Sequence, residues 1–225
     1  MTYLLPGLLC DDFVWRHQKA ALSAFGDLRI PDFRPFPSIT AMAQHVLDDA
    51  PRTFALAGHS MGGRVAMEIF RLAPERVERL ALLDTAAHPP APGEEDKRQE
   101  LIDLAKREGM DALAARWLPP MLHPHHMGLY DELAAMVRRG TPESFENQQR
   151  ALWNRPDARP VLLRVACPTL VLCGREDAWS PVRQHEEIAA AIRGSKLVVV
   201  EECGHMSTVE QPAAVTAAMT DWLRA

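Results

Sequence analysis

The 225-residue sequence predicts an α/β fold, a mostly parallel sheet flanked by helices and interrupted by an inserted helical lid. Three observations carry that expectation. Apolar strand-like runs alternate with helical spacing as far as residue 85. From 86 to 158 only helical patterns follow, bracketed by prolines, and near residue 169 the alternation resumes. The domain division read from this is a core over 1–85, an insertion over 86–158 and a second core segment over 159–225.

The elements follow in order. Tyr3-Leu4-Leu5 is a strand stopped by Pro6-Gly7, and helical spacing runs from Val14 to Phe25. A short strand, Leu28 to Ile30, enters the proline-rich turn Pro31 to Pro37. Ser38 can cap a helix from Ile39 to Asp49, in which Met42, Val46 and Leu47 share one face. Phe54 to Ala57 is a continuous apolar run, the pattern of a central parallel strand. A helix from Gly62 to Leu72 ends at Pro74, and Leu80 to Leu83 is the next buried strand. Pro89, Pro90 and Pro92 then lead into helices over 94–107, 112–117, 129–138 and 144–153, and Pro156 and Pro160 lead out. Thr169 to Cys173, Arg183 to Ile192, Leu197 to Val200 and Pro212 to Leu223 complete the alternation.

Composition narrows the function classes. A net charge of −5 without a Lys/Arg cluster speaks against nucleic acid as partner. No run reaches the ~20 apolar residues of a membrane span. The apolar start lacks the basic segment of a signal peptide, and Cys10 lacks the leader of a lipidated cysteine. Cys10, Cys167, Cys173 and Cys203 show no metal-type pairing, so the expectation is a reduced, cytoplasmic protein, monomeric or homodimeric.

The strongest chemical signal is Gly58-His59-Ser60-Met61-Gly62, set between a buried strand and a helix. A serine there must occupy a strained turn, and small residues two positions before and after relieve the crowding. The turn lifts the hydroxyl to the strand's C-terminal end and aims the free N–H groups of the helix at whatever it attacks. A serine hydroxyl needs a base. Among nine histidines, His205 follows a strand through Glu201 to Gly204 and precedes a helix, where Gly204 lets the loop turn. An acid must orient that imidazole. Asp177, after the strand Thr169 to Cys173, is preferred to Asp84, which ends the strand Leu80 to Leu83 and suits a structural acceptor of backbone N–H groups. The oxyanion donors are assigned to the backbone N–H groups of Met61 and, from the Pro6-Gly7 turn, Leu8.

These segments, with Gly63 and Gly174-Arg175-Glu176-Asp177, resemble the α/β-hydrolase superfamily, and in particular small bacterial serine esterases and enol-lactonase-like hydrolases. The resemblance covers essentially the whole chain except the insertion. It implies the triad Ser60, Asp177 and His205, no cofactor, and a lid made by the insertion. Relatives of this kind usually carry His-Gly where this chain has Pro6-Gly7, so the hydrogen bonds of that histidine are missing beside the second oxyanion donor. One or two leading strands common in such relatives are expected to be absent.

The expected substrate is a small or medium ester or lactone with an apolar acyl part, given the apolar Leu8, Leu9 and Met61. Arg64 and Arg175 leave an anionic substrate open. Pocket contacts are assigned to Leu9, Trp15, Trp117, Met121, Trp153, Trp179 and Met206, while Trp117, Met121, Met127, Met136 and Trp153 suit ordinary insertion core equally well. His123-Pro124-His125-His126 has no carboxylate or cysteine to complete a metal site, and the charged stretch 94–108 reads as a solvated helix face. Carbon–carbon bond hydrolysis and perhydrolysis on the same triad are alternative reactions. A receptor-like or inactive binding protein is the non-enzyme alternative, separable because Ser60 would then resist fluorophosphonate. Dehalogenation would need a carboxylate where Ser60 stands.

Overall fold

A computed structural model describes residues 1–225. Six strands form one sheet in the order β2-β1-β3-β4-β5-β6, every neighbouring pair parallel. They are β1 Thr2–Leu5, β2 Leu28–Arg29, β3 Phe54–His59, β4 Val77–Leu83, β5 Thr169–Gly174 and β6 Lys196–Val200. The apolar runs of β3 and β5 are buried throughout, as strands covered on both faces must be.

Helices cover both faces. On one side α2 (Ile39–Asp49) packs on α3 (Met61–Leu72). The other side carries α1 (Arg16–Leu22) against the C-terminal helix described below. The Ser38 hydroxyl accepts the Ala41 N–H, so α2 begins where its cap predicts. Between β4 and β5 the regular structure is entirely helical: α4 (Glu94–Trp117), α5 (Tyr130–Arg138), α6 (Pro142–Trp153) and α7 (Arg159–Leu162), with two short 3₁₀ turns. Gly109 at φ 85° interrupts α4 at the gap between the two helices predicted there. Then come α8 (Val182–Ala191), α9 (Ser207–Glu210) and α10 (Pro212–Arg224), with α7 joining α3 and α8 in the first layer and α10 packing on α1. No helix is long and apolar enough to cross a membrane.

From β1 the chain moves outward to β2, then returns to place β3 on the other flank of β1 and advances to β4, β5 and β6. The connections after β1 and β3 therefore diverge and open a crevice at the strand ends, the position where doubly wound sheets hold ligands. The Pro6-Gly7 turn and Ser60 flank that crevice.

Candidate active site

The turn from β3 to α3 holds Ser60 at φ 54°, ψ −116°, a conformation costing a non-glycine residue about 1–3 kcal/mol. The surroundings compel it. The Ser60 N–H donates to the Leu83 carbonyl at 2.9 Å, and the Thr85 hydroxyl donates to the Ser60 carbonyl at 2.7 Å. A Cβ at Gly58 would lie 2.3 Å from the Gly62 carbonyl oxygen, and one at Gly62 would lie 2.1 Å from that of Leu5. Gly58→Ala is accordingly expected to destabilise the fold by about 3 kcal/mol or more, a fall in Tm on the order of 10 °C for a chain of this size. Thermal denaturation checks it, and an unchanged Tm would contradict the crowding.

Three sequence-distant side chains meet above this turn. The Ser60 hydroxyl donates to His205 Nε2 at 2.9 Å, and His205 Nδ1–H donates to Asp177 Oδ2 at 2.9 Å. The other Asp177 oxygen accepts the N–H groups of Trp179 and Ser180 at 2.8 and 2.9 Å. Burial pushes the Asp177 carboxyl up, but the His205 charge and these hydrogen bonds hold it below its ordinary value. Burial pushes the His205 imidazole down, while Asp177, then Asp84 and Glu210, outweigh it and hold it above the ordinary 6.5. An imidazole bonded to a hydroxyl on one side and an ionised carboxylate on the other can accept the hydroxyl proton and keep the resulting charge.

Asp84 also lies near His205 but serves the backbone and a hydroxyl. It accepts the Gly174 N–H at 3.1 Å and the Ser207 hydroxyl, and is fully buried. Burial and the neighbouring Asp177 charge push it well above the usual carboxylate range.

Leu8 lies on the turn after β1, and its N–H, like that of Met61, meets no loop, turn or cap acceptor. The next N–H, that of Leu9, is taken by Gln148 Oε1 of α6 at 2.8 Å. With Pro6 in place of histidine, this turn is held by close packing on Gly62 and by the bond from Gln148.

Beside Ser60 lies a cavity of only ≈ 20 Å³, room for about one water. Leu8, Trp117, Met121, Met136 and Met206 line it, with Gly7, Cys10, Leu118, His59, Ser60 and His205. The other expected contacts lie elsewhere. Trp15 is fully buried, edge-on to the His59 ring at 6.4 Å, because the chain after the first turn carries it into the core. Leu9 is buried at φ 55° outside the lining, and Trp153 sits under the Arg150 guanidinium on α6. Trp179 is 42% exposed at the rim, 6.2 Å from the Trp117 ring and 6.3 Å from that of His205. Met127 is exposed as well. Neither arginine faces the cavity: Arg64 donates to the His88 carbonyl at 2.9 Å, and Arg175 pairs with Glu201 on the surface. His123 accepts the His125 N–H, and the His126 ring contacts the Glu202 carbonyl at 3.1 Å.

Sequence reasoning missed the groups that hold the site. His59 Nε2–H donates to the His205 carbonyl at 2.9 Å, while burial first and the adjacent His205 next lower His59 to about 4, leaving it neutral. His185, kept neutral by burial at about 4, accepts the Thr85 N–H at 2.9 Å. Gly204 matters through close approach, since a Cβ there would lie 2.4 Å from the Met121 carbonyl oxygen.

Comparison with known proteins agrees with this fold. A family model described as the alpha/beta hydrolase family matches residues 3–218. A pimeloyl-[acyl-carrier protein] methyl ester esterase of Neisseria meningitidis serogroup B is 28% identical, across 93% of this chain and 83% of that protein. Among solved structures, a thermophilic esterase from Thermogutta terrifontis is 30% identical with a TM-score of 0.89, covering 99% of this chain and 89% of its own. An enol-lactonase from Burkholderia xenovorans is 28% identical with a TM-score of 0.85, over 100% and 91%.

Proposed function

Since this chain belongs to the α/β-hydrolase family, we propose that it hydrolyses a carboxylic ester or lactone through an acyl-enzyme on Ser60. The observation that carries the reading is the His205 imidazole, 2.9 Å from the Ser60 hydroxyl and 2.9 Å from the Asp177 carboxylate.

His205 takes the Ser60 proton as the oxygen attacks the ester carbonyl, and the carbonyl electron pair moves to its oxygen. The N–H groups of Met61 and Leu8 receive that charge, and Asp177 stabilises the imidazolium. As the tetrahedral species collapses, the leaving alkoxide takes the proton from His205. A water then gives a proton to the same imidazole and attacks the acyl-enzyme. Ser60 leaves with that proton and the acid is released. The chemistry calls on no cofactor.

Names of the similar proteins support the substrate class, two esterases and an enol-lactonase. The apolar lining supports an apolar acyl part, and the cavity's size favours a short one. The helices between β4 and β5 act as a lid, here seated: Gln148 holds the turn at Leu9, and Met121 holds the His205 N–H at 2.7 Å. Four unpaired cysteines suit a reducing compartment such as the cytoplasm.

A fluorophosphonate probe is expected to label Ser60 alone. A panel of p-nitrophenyl esters and simple lactones should then show kcat/KM falling as the acyl chain lengthens. A protein left unlabelled by the probe and inactive across the panel would be a binding protein.

A further inference from the structure

We infer that Glu210 is a positioning residue for this reaction, its carboxylate gripping the backbone on both sides of His205 and tying that loop to the helical insertion. The inference rests on the reading of His205 as the base.

Glu210 ends α9 and is 4% exposed. No Lys or Arg pairs with it. Its oxygens are spent on three backbone donors instead: Oε1 accepts the Met206 N–H at 2.9 Å, and Oε2 accepts the N–H groups of Gly204 at 3.2 Å and His123 at 2.7 Å. Residues 204 and 206 bracket the base, whereas His123 belongs to the insertion. The His205 N–H goes to the Met121 carbonyl and the His205 carbonyl receives His59, so every peptide group beside the imidazole has a fixed partner. Bonds to an ionised acceptor are the stronger kind. A buried carboxylate is costly unless such donors surround it, so a single arrangement of the three segments satisfies it. Seating the insertion thereby sets the imidazole at 2.9 Å from Ser60, and displacing it breaks bonds at both 121 and 123.

Geometry and charge can be tested separately. The titratable groups facing His205 are Asp177 after β5, Asp84 after β4, His59 at the end of β3, His185 on α8 and Glu210 on α9. Negative neighbours raise the imidazole, so removing the Glu210 charge moves the acid limb of kcat/KM to lower pH. In p-nitrophenyl acetate hydrolysis by the whole chain, Glu210→Gln should lower kcat on the order of 10-fold or more, leave KM within about 2-fold, and shift that limb downward. A second variant covers the case in which the first does not fold. His123 already has φ −64°, and Leu122 at φ −100°, ψ 141° tolerates a following proline, so His123→Pro removes that N–H without backbone strain, and its ring carbon, standing where the hydrogen was, also pushes away Glu210 Oε2, which lies 2.7 Å from the nitrogen. Compared with His123→Ala, which removes the same ring but keeps the N–H, His123→Pro should lose several-fold in kcat with the acid limb unmoved. Folded variants matching wild type in kcat and in pH profile would overturn the role of Glu210 while leaving Ser60 and His205 standing. A wild type without esterase activity or fluorophosphonate labelling would instead remove the premise.

Discussion

Ser60→Ala is expected to lower kcat for an activated ester by about five to six orders of magnitude, because no other hydroxyl meets the His205 imidazole. Stability should barely change. The substitution removes one partly exposed oxygen, and the backbone remains at φ 54°, held by Leu83 and Thr85. The two effects are checked by single-turnover kinetics and thermal denaturation on the same preparation. Turnover retained within a factor of ten would mean that another nucleophile acts. A large fall in Tm would mean that the hydroxyl helps to hold the turn.

Asp177→Asn is expected to lower kcat on the order of 10⁴-fold, through loss of the imidazole's tautomer and of the charge that balances the imidazolium. It should also change the pH profile in a defined direction. Burial alone lowers His205, and Asp177 is the first of the charges that lift it above 6.5. The base works when neutral, so the wild-type acid limb of kcat/KM should lie above 6.5, and removing Asp177 should move it down. Asp84→Asn is the matched comparison. Asp84 bonds to the Gly174 N–H and the Ser207 hydroxyl, and an amide keeps an acceptor for the first and a donor for the second while leaving the contact between Asp177 and His205 in place. Its kcat should fall by less than about 10-fold. If Asp84→Asn were the more damaging change, the orienting acid would be Asp84 despite the 2.9 Å contact between Asp177 and His205.

Legibility in the sequence followed the range of the forces involved. The elbow at Ser60 was readable because a strand, a serine between small residues and a helix are adjacent in the chain, and their steric conflict is local. Asp177 and His205 were readable because each follows a strand run, and parallel strands bring all such ends to one edge. The break in α4 at Gly109 lay in the helical periodicity on either side of it. Trp15 was misplaced because an aromatic residue near a loop end carries no sign of which way the chain turns it. The fold sends it beneath His59, away from the cavity. Gln148 and Glu210 left no signal, because they bind backbone N–H groups, and a backbone N–H looks the same at every residue. Gln148 reaches Leu9 across 139 positions, and Glu210 reaches His123 across 87.

By itself the sequence determined the alternation of strands and helices, the strained serine turn, and the three residue types delivered to one edge of the sheet. These depend on apolar periodicity and on crowding between near neighbours, which a linear chain already encodes. Tertiary structure alone decided which aromatic rings line the cavity and how the helical insertion grips the turn at Leu9 and the loop at His205. Those outcomes are set by packing among segments far apart in the chain, where a few tenths of an ångström choose between a hydrogen bond and none.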